Sequence, residues 1–184
     1  MELLVVRKVS QFFNVVLVVG LSWCWPAQAA IFTVTSTVDA TDIAPGNGLC
    51  ETAAGNGVCT LRAAIQEANA GGGPHSITLP AGTFTLTLAG TGENNSATGD
   101  LDIMTSLSVI GAGRASTVID GNGADRVFHI VTGSLSLNAL TVRNGRRDGP
   151  GTDATVVGGA VHAEGGALGL YDVAVRDNFA ALDG

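Results

Sequence analysis

The feature that most constrains this chain is a repeat. Leu135-x-Leu137-x-x-Leu140-x-Val142-Arg143-Asn144-Gly145 returns, in the same order and spacing, as Leu168-x-Leu170-x-x-Val173-x-Val175-Arg176-Asp177-Asn178. Leu107-x-Val109 stands one comparable interval before the first copy, and Ile77-x-Leu79 one more before that. Short alternating, β-branched segments (76–79, 83–88, 106–109, 117–119 and 127–130) alternate with Gly, Asn and Asp, the pattern of strands joined by turns. No stretch after Ala70 has a helical period, which excludes a doubly wound α/β fold. Periods of roughly 20–35 residues built from short strands predict a parallel β-solenoid, in which each turn needs its neighbours to complete a core. A β-sandwich is the alternative, because short alternating strands alone do not distinguish the two.

One segment breaks the pattern. In Cys59–Ala70 the apolar residues Leu61, Ala64, Ile65 and Ala68 fall at i, i+3, i+4 and i+7, leaving Arg62, Gln66, Glu67 and Asn69 on the other side of a predicted helix. Gly71-Gly72-Gly73-Pro74 closes it, since glycine adopts the left-handed C-terminal conformation and proline cannot continue a helix. An amphipathic helix of this length is not stable alone, so it needs an apolar surface. The open end of the strand stack is the expected one, with the helix as its lid.

Positions 1–29 read as a secretory signal: Arg7 and Lys8, the apolar run Val15–Leu21, and the small-x-small site Ala27-Gln28-Ala29. From Val15 to Trp25 the apolar run is about half the ~20 residues a membrane-spanning helix needs, and Pro26 ends it. The expected location is therefore secreted or cell-surface, with no membrane span in the mature segment. Of 9 basic and 16 acidic residues, Arg7, Lys8 and Glu2 leave with the signal, so the formal charge moves from −7 to −8. That balance repels nucleic acid and anionic lipid as partners. Cys50 and Cys59 remain, and an even pair in an exported chain predicts one disulfide, worth roughly 2–3 kcal/mol in a loop this short. The expected organisation is a signal over 1–29, a cap of strand, disulfide loop and helix over 30–74, and strand coils over 75–184.

Cys59-Thr60-Leu61-Arg62-Ala63-Ala64 resembles the motif that names the CSLREA domain, a secreted bacterial module, with Thr for Ser and Ala63 for Glu. Phe32-Thr-Val-Thr-Ser-Thr, Asp39-Ala40, Pro45-Gly46, Cys50 and Glu67-Ala68-Asn69-Ala70 extend the likeness over 31–70. Leu79-Pro80-Ala81-Gly82-Thr83-Phe84 and Val109-Ile110-Gly111-Ala112-Gly113 are similar to the first coils of pectin-degrading enzymes. Together these resemblances imply a right-handed parallel β-helix with a short N-terminal capping helix.

A pectate-lyase-like site needs carboxylates holding Ca²⁺ and an arginine as base. Asp100 and Asp102 sit on one side of one strand by alternation, with Asp120 and Asp125 as further candidate ligands; the competing expectation is a solvated outer face for the pair and a plain turn for Asp120–Asp125. Arg143, Arg146, Arg147 and Arg176 concentrate the positive charge, Arg143 and Arg176 at equivalent repeat positions. Surface ion pairs with Asp148, Asp153, Asp172 and Asp177 are the expected use of it, and an acidic-sugar site the alternative. His129 lies in an apolar strand and is expected half-buried and neutral, while His162 with Glu164 forms a candidate acid–base pair. No glycosidase pair and no polygalacturonase Gly-His-Gly stands out.

These readings predict a secreted or surface module with a structural or adhesive role and no catalytic residues. Its expected partners are an extracellular polysaccharide or another surface protein. A polysaccharide lyase or hydrolase using Ca²⁺ is the alternative. Nothing after Phe179 reads as a terminal cap, so further coils of the same chain are expected beyond Gly184.

Overall fold

The structure is a computed structural model, described here for residues 29–147 and 159–181. The segment expected to be a signal, save Ala29, lies outside the described residues, as do Asp148, Asp153 and positions 182–184.

Among the described residues, twelve strands and one helix follow in chain order: β1 (Ile31–Thr33), α1 (Leu61–Gly71), β2 (His75–Thr78), β3 (Gly82–Thr85), β4 (Leu101–Ile103), β5 (Ser106–Ile110), β6 (Thr117–Asp120), β7 (Phe128–Ile130), β8 (Ser134–Arg143), β9 (Arg146–Arg147), β10 (Val161–Ala163), β11 (Ala167–Arg176) and β12 (Phe179–Ala180). Every described pairing is parallel. The parallel ladders stack apolar residues in register: Ile77 opposes Val109, Val109 opposes Leu137, and Leu137 opposes Leu170. A second apolar ladder runs Phe84, Ile119, Val142, Val175. In both, the members before the last are buried and belong to one hydrophobic cluster.

The expected right-handed parallel β-helix is not what these strands form. Seven strands make one sheet in the order β1-β2-β5-β8-β6-β3, with β11 added on β8, and that sheet curls as a half-barrel. The cause is the length of β8. Its first half, Ser134–Asn138, pairs β5, and its second half, Thr141–Arg143, pairs β6, so segments that the repeat suggested were separate turns of a coil merge into a single surface. Ala139, at the junction, has φ +53°, and Asp172, at the matching place in β11, has φ +50°, so both long strands bend at one register position. The remaining strands form a three-stranded sheet, β10-β7-β4, and a pair, β12-β9.

The helix starts where Thr60 accepts a hydrogen bond from the Ala63 N–H at 3.1 Å, satisfying one of the free donors of the first turn, and ends on Gly72 at φ +77°. It packs against β2 and β4. Leu61, Ala64, Ile65 and Ala68 enter the same cluster as the strands, so the cap and the sheets share one core. Cys50 and Cys59 are joined by a disulfide that ties the preceding loop to the helix start.

The polar side of the helix is not a wet face, because loops from both directions cover it. Arg62, Gln66 and Glu67 are all buried. Arg62 donates to Asp39 and to the carbonyls of Ser96, Gly99 and Asp100. Gln66 Oε1 accepts from the Asp42 N–H at 2.7 Å, and Asn69 donates to the Asp102 carbonyl at 2.8 Å. A helix that short gains stability from packing on both sides, with each buried polar group bonded. Among the described residues no helix is long and apolar enough to cross a membrane.

Candidate functional site

The polar groups with chemical potential gather on the three-stranded sheet. In β4, β7 and β10 the outer residues of each triplet point inward: Leu101 opposes Phe128, which opposes Val161, all buried. Alternation sends the central residues to the other face, where Asp102, His129 and His162 stand in register on adjacent strands. All three are buried, so the expectation of a solvated face at Asp102 and of a half-buried His129 is corrected. The reason is a loop. Residues around Ser96 fold over β4, where the Ser96 N–H donates to Asp102 Oδ2 at 2.8 Å and Ser96 Oγ accepts from the Asp102 N–H at 2.7 Å.

His129 Nδ1 lies 3.0 Å from Asp102 Oδ1. Both carboxylate oxygens of Asp102 thus meet donors, which assigns the proton to Nδ1 and leaves the His129 Nε2 lone pair free. That atom sits 3.2 Å from Glu164 Oε1 but is not aligned with it as a hydrogen bond, and it is buried with no hydrogen-bond partner among the described residues. The His162 ring stacks on His129 with centroids 5.2 Å apart and planes at 24°. Its Nε2 is 3.8 Å from Glu164 Oε1, and its Nδ1 is also buried without a partner among the described residues. Burial holds the His162 pKa below its ordinary value, with the nearby Arg126 cation adding repulsion, so the neutral ring is favoured.

Asp100 lies buried beside this ladder, 2.7 Å from Arg126 Nε. Burial pushes its carboxyl up to about 6 in spite of that cation, and burial likewise pushes Asp102 up to about 6 against the pull of the Ser96 N–H. Asp120 is not part of this group. It sits on β6 in the seven-stranded sheet, 2.8 Å from Arg143 Nε, and accepts from Asn144 and from the Asn122 N–H. These donors hold its carboxyl below the ordinary range in spite of burial. Asn122 and Gly123, at φ +58° and +67°, make the Asp120–Asp125 segment a turn, and Asp125 accepts from the N–H of Arg126. The four candidate calcium carboxylates therefore do not converge: Asp100 and Asp102 belong to one site, and Asp120 lines an open cleft of about 380 Å³ with Asn144, Arg146 and Phe179.

The arginines are distributed accordingly. Arg143 and Arg176 are register partners on β8 and β11, but Arg143 pairs with Asp120 and Arg176 with Asp177 at 2.8 Å on the exposed surface. Asp172 faces Arg114 at 3.5 Å instead, and the Arg146 guanidinium lies 5.2 Å from the Phe179 ring centroid.

The stacking of His129 on His162 is the feature that sequence reasoning missed. Its signal was present: Phe128-His129-Ile130 and Val161-His162-Ala163 are offset by the same interval as Leu135-x-Leu137 and Leu168-x-Leu170, and both pairs meet in register. No protein family, no curated protein and no solved structure matches the chain.

Proposed function

We propose that the chain is an exported structural module that works by docking at the cell surface or in the surrounding medium. The observation that carries this reading is the exposed apolar surface along the outer edge of β11. Leu170 and Val175 of β11 are 47 % and 46 % exposed, and Tyr171 and Phe179 stand beside them at 60 % and 51 %. β11 is ten residues long and pairs only β8 among the described strands, so its other edge presents a row of backbone donors and acceptors flanked by apolar side chains. β8 carries the same side-chain pattern and fits β11 in nine register pairs. In a second copy β8 is likewise held between β11 and β5 with β6, so what that copy brings is the outer edge of its own β11, and the two edges take each other. The likeness of 31–70 to the CSLREA module supports an exported role for the cap.

The test is sedimentation of the purified chain over the micromolar range, with hydrogen exchange read along β11. Association that deepens with concentration, protects β11 amides and is abolished by Leu170→Lys with Val175→Lys supports the proposal. A monomer at every concentration with fast-exchanging β11 amides overturns it. Release of unsaturated products from polygalacturonate in Ca²⁺ would replace it with the lyase reading.

A further inference from the structure

His129 Nε2 is buried with no hydrogen-bond partner among the described residues, whereas on the adjacent strand the unpartnered nitrogen of His162 is Nδ1 and it is Nε2 that lies toward Glu164. Leaving such a group unsatisfied forfeits its hydration with nothing in return, so a built protein site normally supplies something for it. A carboxylate stands at the same place. One donor atom from each of His129, His162 and Glu164 lies within 4.8 Å of the other two. We propose that these three residues form a binding site for a divalent transition metal of the zinc class.

The distances fit. Metal–ligand bonds of about 2.0–2.1 Å in a tetrahedron place neighbouring ligand atoms about 3.3 Å apart. His129 Nε2 to Glu164 Oε1 is 3.2 Å, and His162 Nε2 to Glu164 Oε1 is 3.8 Å, which a small rotation of the half-exposed glutamate shortens. The support for the ligands is also present. Asp102 accepts a hydrogen bond from the Nδ1–H of His129, which fixes the ring's tautomer and orientation and strengthens Nε2 as a metal ligand; metal-bound histidines characteristically have such a partner.

The chemistry selects the ion. Two imidazoles and one carboxylate suit Zn²⁺, Co²⁺ or Ni²⁺, whereas Ca²⁺ and Mg²⁺ require oxygen-rich shells. Asp100, Asp102 and His129 form a second close group, but its oxygens are already committed, Asp102 to Ser96 and His129 and Asp100 to Arg126. That group is therefore the support and not the site. Glu164, 55 % exposed in its side chain, opens the fourth position to water and gives the ion a way in.

The experiment is calorimetric titration of the untagged chain with ZnCl₂ near neutral pH, paralleled by the visible spectrum with Co²⁺. The expected result is one saturable Zn²⁺ per chain, an intense four-coordinate Co²⁺ band, and no heat with CaCl₂. His162→Ala and Glu164→Gln each weaken Zn²⁺ binding about tenfold or more. Glu164 lies at the surface, so Glu164→Gln keeps the test valid even where His162→Ala misfolds. Absence of saturable Zn²⁺ binding, full retention in Glu164→Gln, or equal binding of Ca²⁺ overturns the proposal.

Discussion

Nε of Arg62 lies 2.6 Å from Oδ1 of Asp39, with both side chains shut off from water. The pair links three parts of the chain, since Asp39 Oδ2 also accepts from the Thr87 and Leu88 N–H groups while Arg62 reaches the carbonyls of Ser96, Gly99 and Asp100. Five acceptors around one guanidinium are a geometry that only arginine's planar fork matches. Removing one partner leaves an uncompensated buried charge. Arg62→Ala is predicted to cost about 3–5 kcal/mol, with Arg62→Lys also clearly destabilised, as read by urea denaturation. A loss within the range of an exposed pair would show that the linkage does not hold the cap.

Glu67 does a related task with the loop before the helix. Its two oxygens accept from the Gly46 and Gly48 N–H groups at 2.8 and 3.0 Å. Glu67→Gln replaces one acceptor by a donor facing an N–H, and the predicted cost is about 1–3 kcal/mol. Hydrogen exchange should quicken at Gly46 and Gly48 first; unchanged protection there would contradict the assignment.

The disulfide closes a short, turn-rich loop onto the helix start. Reduction, or paired Cys50→Ala and Cys59→Ala, is predicted to lower stability by roughly 2–3 kcal/mol through the freed unfolded chain. Thermal melts with and without reductant measure this. Superimposable curves would mean that the loop is held by its hydrogen bonds alone.

Ala139 occupies a left-handed conformation at the bend of β8, where an L side chain costs about 1–2 kcal/mol. Glycine relieves that but adds freedom to the unfolded chain, at a cost of about 0.4–1 kcal/mol. Ala139→Gly is therefore predicted to stabilise the protein by up to about 1.5 kcal/mol. A destabilised variant in equilibrium unfolding would argue that the methyl packs.

The buried carboxyls make stability depend on pH. Asp100 and Asp102, raised from an ordinary 3.8 to about 6, hold protons more tightly folded than unfolded. Their contribution is therefore lost as pH rises from about 4 to about 6. The depressed His75 and His162 push the other way, gaining as pH rises towards 6.5, so the useful comparison is with Asp102→Asn, which shares those histidines. Wild type should lose stability relative to Asp102→Asn across that window and run parallel to it above. A wild type that gains stability relative to Asp102→Asn as pH rises through that window would refute the raised value.

The sequence by itself determined what depends on local period and local chemistry. Leucines recurring at a fixed interval pair in register because strands of like pattern bury like faces together. Thr60 and Gly72 mark the helix ends because their side-chain oxygen and free φ satisfy what a helix leaves open, and Cys50 finds Cys59 across one short loop. Only the tertiary structure decided which strands share a sheet, since the repeat interval alone does not reveal that β8 continues through Ala139 to join β5 and β6. The same holds for the polar residues. Alternation places Asp102 and His129 opposite the core, but whether that face is wet depends on a loop at Ser96 and on neighbours distant in sequence, and the water they exclude changes both the charge and the use of those side chains.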